Sequence, residues 1–148
     1  MDHHPVDPAF GYKFILGPKN IIFSGDTRYC EVLEKSSKDA DILVHEVFVG
    51  LDYDPVRMSS DTIENISDYH TTPEEIGVLA SNASVKKLIL NHFVPPVFDE
   101  DVLVERIAKH FDGEIVVGKD LMQFDICLLY TSDAADEGLG VDLGGRRI

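Results

Sequence analysis

Apolar positions in this chain fall in short β-branched and aromatic runs set between stretches of helical spacing, an alternation that predicts an α/β layered domain. Residues 12–16 and 20–24 read as two strands of a hairpin, because Phe14, Ile15 and Leu16 precede the breaker Gly17-Pro18 and Ile21, Ile22 and Phe23 follow it. Residues 30–37 place Cys30, Val32 and Leu33 at helical spacing, and residues 41–45 form an apolar run suited to a buried strand. Residues 50–69 have no clean period and read as a functional loop with one helical turn. Thr72-Pro73-Glu74-Glu75 is a helix start: Thr72 caps, Pro73 suits the first turn and Glu75 completes a capping box, ahead of an apolar face of Ile76, Leu79 and Ala80. Residues 85–91 form another buried strand, followed directly by His92. Residues 98–111 form a helix with Val102, Leu103, Ile107 and Phe111 on one face and Asp99, Glu100 and Asp101 in its first turn. Two last strands, residues 114–117 and 121–126, flank Gly118-Lys119-Asp120.

The pattern breaks after Ile126. Residues 127–148 show neither alternation nor an amphipathic stripe, and Cys127-Leu128-Leu129-Tyr130-Thr131-Ser132-Asp133 with the following Ala134-Ala135-Asp136-Glu137 resembles translated sequencing-adapter read-through. The chain therefore divides into a domain over residues 1–126 and a non-native or disordered tail over 127–148, which is set aside from fold reasoning.

With 148 residues, 44% of them hydrophobic, the chain has the length and core of one domain. Its 27 acidic against 13 basic residues give a net charge of −14, which lacks the basic stripe of a nucleic-acid binder. Cys30 and Cys127 are far apart and form no C-x-x-C pattern, which argues against a disulfide scaffold. No apolar run approaches the roughly 20 residues of a membrane span, and the first residues are no signal peptide. The cytoplasm is the favoured compartment.

Three motifs stand where apolar runs end: Ser24-Gly25-Asp26-Thr27, His45-Glu46 and Asn91-His92. Loops at one sheet edge can converge ligands that lie far apart in sequence, so these positions point to a metal site. Each has a plainer reading, an aspartate capping a turn or a histidine at the surface, and the order of the motifs outweighs it. That order, from Gly25-Asp26-Thr27 through Ala40-Asp41-Ile42-Leu43-Val44-His45-Glu46 and His70-Thr71-Thr72 to Leu88-Ile89-Leu90-Asn91-His92, resembles the C-terminal half of a metallo-β-lactamase-fold hydrolase, in its ribonuclease Z and arylsulfatase-like branch. The resemblance covers residues 3–126 and implies half of an αββα sandwich.

By that resemblance, Asp26 bridges two divalent metal ions, Zn2+ in most of the family, and His92 is a ligand of one of them. His4 is chosen as a ligand of the other, with His3 as the alternative. Glu46 orients His70, which protonates the leaving oxygen or steadies the charge of the reacting group. A carboxylate beside an imidazole fixes the ring and stabilises its protonated form, as general-acid chemistry requires. His45 and His110 have no matching role and are read as structural or surface residues. The family's H-x-H-x-D-H loop does not occur in this chain. The chain is thus read as a fragment, inactive alone, because His4, Asp26 and His92 cannot complete either metal's coordination.

For the whole domain the expected reaction is metal-assisted hydrolysis of an ester. Thirteen residues separate Tyr12 from Asp26, too few for the long RNA-gripping arm of transfer-RNA processing relatives. With the acidic charge, this favours a small-molecule phosphodiester or aryl sulfate substrate. The alternatives are a ribonuclease Z-like endonuclease trimming the 3′ side of transfer RNA, and a non-catalytic binding domain. A homodimer is compatible with the family.

Overall fold

The computed structural model describes residues 1–50 and 59–126. Its centre is one five-stranded sheet in the order β1 (Tyr12–Leu16), β2 (Lys19–Phe23), β3 (Ile42–Phe48), β4 (Lys87–Val94), β5 (Glu114–Val117). β1 and β2 are antiparallel, and β2 through β5 run parallel. The hairpin, the α/β class and the alternation all match the expectation from hydrophobic spacing. Among the described residues four helices accompany the sheet: α1 (Glu31–Ser36), α2 (Ser60–Ser67), α3 (Pro73–Asn82) and α4 (Glu100–Ala108). α3 begins with the capping box, the Glu75 amide donating to Thr72 Oγ1 at 3.4 Å and the Thr72 amide to Glu75 Oε2 at 2.9 Å.

Strand alternation divides the apolar residues between two faces. Ile22, Leu43, Val47, Leu88 and Leu90 pack with Leu33, Ile76, Leu79, Leu103 and Ile107 of the helices in the main core. Ile21, Ile42 and Ile89 form a smaller cluster, against which Val44, Val116, Phe124 and Ile126 pack. α1, α3 and α4 thus cover one face of the sheet, as in half of a two-sheet sandwich.

Four expectations need correction. α2 is a full two-turn helix inside the stretch read as a loop; its start is the Ser59 hydroxyl accepting from the Thr62 amide at 3.3 Å. No α2 residue is buried, so it leaves little apolar period to read. β3 runs past His45 to Phe48, and β4 runs through His92 to Val94. Residues 121–126 form no strand: Leu121 adopts a left-handed φ of 66° and is 97% exposed, and the Met122 amide closes a turn onto the Lys119 carbonyl. Phe124 and Ile126 of this segment cover the smaller cluster, while Leu121 and Met122 stay exposed. The remaining part of the loop, residues 51–58, and the tail, residues 127–148, lie outside the described residues.

At the start of the parallel strands, Asp41 receives Lys19 Nζ at 3.0 Å, Lys86 Nζ at 2.8 Å and the Asn20 amide at 3.0 Å. Burial pushes its carboxyl up, and the hydrogen bonds from Lys86, Asn20 and Lys19 outweigh this, holding it down to about 2 from an ordinary 3.8. The ions tie β2, β3 and β4 at their beginnings and set their register.

Two predictions follow from the sheet. The folded carboxyl of Asp41 titrates below the unfolded one, so its contribution is present above pH 3.8 and is lost as the pH falls towards 2. Asp41→Asn should cost about 1–2 kcal/mol at pH 7, a range discounted for the solvent around Lys86, and should flatten this acid-side loss in urea titrations. The second concerns the open face, where Tyr12, Phe14 and Phe23 remain 60%, 49% and 38% exposed around a cavity of about 330 Å³. Contiguous apolar surface of this kind promotes association. Sedimentation of the chain at micromolar concentration should show self-association that Phe14→Ser with Phe23→Ser relieves; a monodisperse wild-type monomer counts against the fragment reading.

Candidate functional site

Because β2, β3 and β4 run parallel, the segments leaving them meet at one edge of the sheet. Gly25 turns the chain after β2 with a φ of 62°, and a Cβ there would collide with the Phe10 carbonyl oxygen, so the position requires glycine. Asp26 follows it. In β4, Ile89 faces the smaller cluster and Leu90 the helices, so simple alternation would turn His92 towards the helix side. A register break prevents this: Glu46 pairs with Asn91 and Val47 with Phe93, leaving His92 as the extra residue with a φ of 42°. His92 Nε2 then lies 3.4 Å from Asp26 Oδ2, both side chains about half exposed.

Glu46 lies on β3 beside this pair and is almost completely buried. Both carboxylate oxygens are used: Oε2 is 3.1 Å from His70 Nδ1, and Oε1 accepts from the Thr71 amide at 2.8 Å. As a carboxylate only accepts, Nδ1 of His70 carries the proton in this contact. Nε2 of His70 takes no part in this contact, and an imidazole held in this way through Nδ1 is the arrangement a proton donor or acceptor needs. Thr71 Oγ1 donates to the Thr27 carbonyl at 2.7 Å, which fastens the His70 loop to the Asp26 loop. Ser24 Oγ accepts from the Glu46 amide at 3.2 Å, joining the same loop to β3.

The histidine rings form a row. His70 stands 5.8 Å from His92 and 5.3 Å from His3, centroid to centroid, and His3 also neighbours Tyr69. It is therefore His3 whose ring the structure brings against the cluster, while His4 is exposed. The N-terminal segment is held there by Asp2, whose amide donates to Thr27 Oγ1 at 3.0 Å and whose carboxylate pairs with Arg28 at 2.7 Å. His45 points away from this edge and is fully buried. Burial lowers its pKa, against the opposing pull of its bond to the Glu46 carbonyl and of Glu46 and Glu75.

Asp26 and His92 are donors of the kinds that divalent zinc accepts, but two donors do not fill a four-coordinate site. Among the described residues no group of three or more His, Cys, Asp or Glu side chains is placed to hold a metal ion. These residues therefore fit part of a metal site and do not complete one. The contacts that sequence reading missed are Thr71, Thr27 and Ser24, whose hydroxyls and amides hold the loops together; their only signal was adjacency to His70, Asp26 and Gly25.

No family model matches the chain. Over 127 residues, 84% of this chain, it is 31% identical to the ribonuclease Z of Mycobacterium tuberculosis (strain ATCC 25618 / H37Rv) and 33% identical to that of Mycolicibacterium gilvum (strain PYR-GCK), covering 46% and 44% of them. Among solved structures it is similar to the metallo-β-lactamase fold protein YhfI from Bacillus subtilis, with a TM-score of 0.63 at 23% identity over 80% of this chain and 44% of that one. It is also similar to the short form of human tRNase Z, with a TM-score of 0.52 at 19% identity over 80% of this chain and 37% of that one. The chain spans about half the length of the curated relatives it matches. It has the metallo-β-lactamase fold over this part, and its sequence likeness lies with the ribonuclease Z branch.

A test of the site's electrostatics follows from His45. Its folded pKa is below the ordinary 6.5, so the unfolded chain takes up a proton that the folded one refuses, and stability falls as the pH drops below 6.5. Urea titrations at pH 7.5, 6.5 and 5.5 should show a loss approaching about 1.4 kcal/mol per pH unit on the acid side. His45→Leu should remove that component of the slope; an unchanged slope in the variant would show that His45 titrates normally.

Proposed function

We propose that this chain is part of a metal-dependent hydrolase that cleaves RNA phosphodiesters in the manner of ribonuclease Z, transfer-RNA precursors being the substrate class. The observation that carries the proposal is the Glu46–His70 pair, 3.1 Å apart at the same sheet edge as the Asp26–His92 pair, in a chain whose relatives are ribonucleases Z. The likeness supports the transfer-RNA alternative better than the small-molecule or aryl sulfate substrate suggested by charge and by the short hairpin. The solved metallo-β-lactamase-fold neighbours support the fold and leave the substrate to experiment.

In the proposed reaction, His70 is held by Glu46 and delivers a proton to the leaving ribose oxygen. Asp26 and His92 would hold divalent metal ions, which when bound supply water activation and charge stabilisation. His3 is proposed in place of His4 as the N-terminal histidine of the site, because its ring faces His70. With only these donors the chain alone is proposed to be inactive, the remaining ligands coming from the part of the whole protein that the matched relatives also contain.

The test takes the complete reading frame, recovered by sequencing the DNA upstream of the Met1 codon, and assays precursor transfer RNA, bis(p-nitrophenyl) phosphate and an aryl sulfate in parallel. Cleavage of the precursor on the 3′ side of the transfer RNA is expected. Turnover of the small esters alone would overturn the RNA reading, and no turnover of any substrate would favour a binding domain. In the active protein, His70→Ala and Glu46→Gln should each lower kcat by roughly 10²–10⁴-fold with little change in KM. Asp26→Asn and His92→Ala should instead lower the bound metal, read by elemental analysis.

A further inference from the structure

His45 is the one fully buried imidazole among the described residues, and the proposed reaction does not use it. It lies between Leu43 and Val47 on the helix side of β3, both members of the main core, while the next residue, Glu46, faces the site. Its Nδ1 is 2.6 Å from the carbonyl oxygen of Glu46. A carbonyl only accepts, so Nδ1 carries the proton and donates it. Nε2 is buried with no partner among the described residues. An aliphatic side chain in the same place would avoid that desolvation cost, so packing alone does not account for an imidazole here.

The carbonyl that His45 grips stands where the β3–β4 register breaks, between Glu46 and Val47. A bulged ladder leaves main-chain orientation less constrained than a regular one, and this is the point from which the Glu46 side chain must reach both His70 and the Thr71 amide. We propose that His45 is a positioning residue, acting from the far face of β3 through the Glu46 carbonyl to hold the Glu46 carboxylate on His70 and Thr71. Its chemical relevance rests on the reading of Glu46 and His70 as the proton-handling pair. The positioning itself is independent of that reading and can be tested without turnover.

The test is amide hydrogen exchange of the 148-residue chain, read at single residues by mass spectrometry with electron-transfer fragmentation. The Thr71 amide reports directly, since its acceptor is Glu46 Oε1. His45→Asn keeps a donor near the position of Nδ1, and His45→Leu removes it. In His45→Leu, exchange at Thr71 should accelerate tenfold or more relative to the core amides of Leu43 and Leu88, and His45→Asn should restore at least half of the protection. Unchanged protection of Thr71 in His45→Leu, or uniform acceleration of all three amides in both variants, would overturn the proposal. Should His45→Leu fail to fold, His45→Gln takes its place, its amide reaching the position of Nε2. Gln is then expected to lose the protection that Asn keeps, and equal behaviour of the two amides would overturn the proposal. Failure of His70→Ala to lower turnover would sink the catalytic reading alone, leaving these exchange results to stand by themselves.

Discussion

A carboxylate taken out of water must find partners for both oxygens, and the edge of the sheet is organised around that demand at Glu46. Its two oxygens hold His70 and the Thr71 amide, and its own amide is held by Ser24. Those contacts draw on the segment after β2, the segment before α3 and β3 itself. The Thr71 hydroxyl closes the circuit by donating to the Thr27 carbonyl, so the residues on either side of Asp26 are tied down. Displacing Glu46 would leave a buried charge unpaired and would release both loops, an expensive combination that keeps the edge in one arrangement.

The opposite edge of the same strands is governed by another buried carboxylate. Asp41, between Lys19 and Lys86, fixes where β2, β3 and β4 begin. From Ile42 against Lys87, the regular register runs five pairs to Glu46 against Asn91 before the bulge intervenes. The position of His92 is thus a consequence of counting from Asp41. Regular pairing would have turned its ring among the helix-side residues, and one extra residue frees it to meet Asp26.

What the sequence disclosed follows the range of the forces involved. The hairpin, the capping box of α3 and the starts of the central strands are written in neighbouring residues and were legible. The ends of β3 and β4 were not, because Glu46 and His92 are polar and polarity normally marks the exit from a buried strand. Here Glu46 remains inside its strand because loops from elsewhere satisfy it, and His92 remains inside its strand as the extra residue of a bulge. Residues 121–126 have the composition of a strand, but Leu121 turns into the left-handed region and only Phe124 and Ile126 are used as cover. Choosing between His3 and His4 needed a long-range contact with His70 that one-dimensional spacing cannot supply. Net charge is a weak guide to the substrate for a related reason: it sums the whole surface, whereas recognition of a phosphate backbone depends on the local field at the groove.

The residues at the candidate site fall into two states of completion. Glu46 and His70 are buried and mutually satisfied, so the proton-handling half of the proposed chemistry is assembled by this chain alone. Asp26 and His92 are half exposed and hold each other at 3.4 Å, longer than a strong charge-assisted hydrogen bond. Such a contact yields readily to a better electrophile, and the cost of parting the pair is small because water already reaches both groups. The open apolar face of Tyr12, Phe14 and Phe23 begins one residue before Ser24 and leads into the Asp26 loop, with Gly25 lining the same cavity. Any polypeptide that covered that face would arrive close to the loop that carries half-exposed Asp26. On the proposed reading of Asp26 and His92 as metal ligands, covering the apolar surface would also bring further donors near them, so what the chain would lack by itself is ligand completion rather than the proton-handling pair.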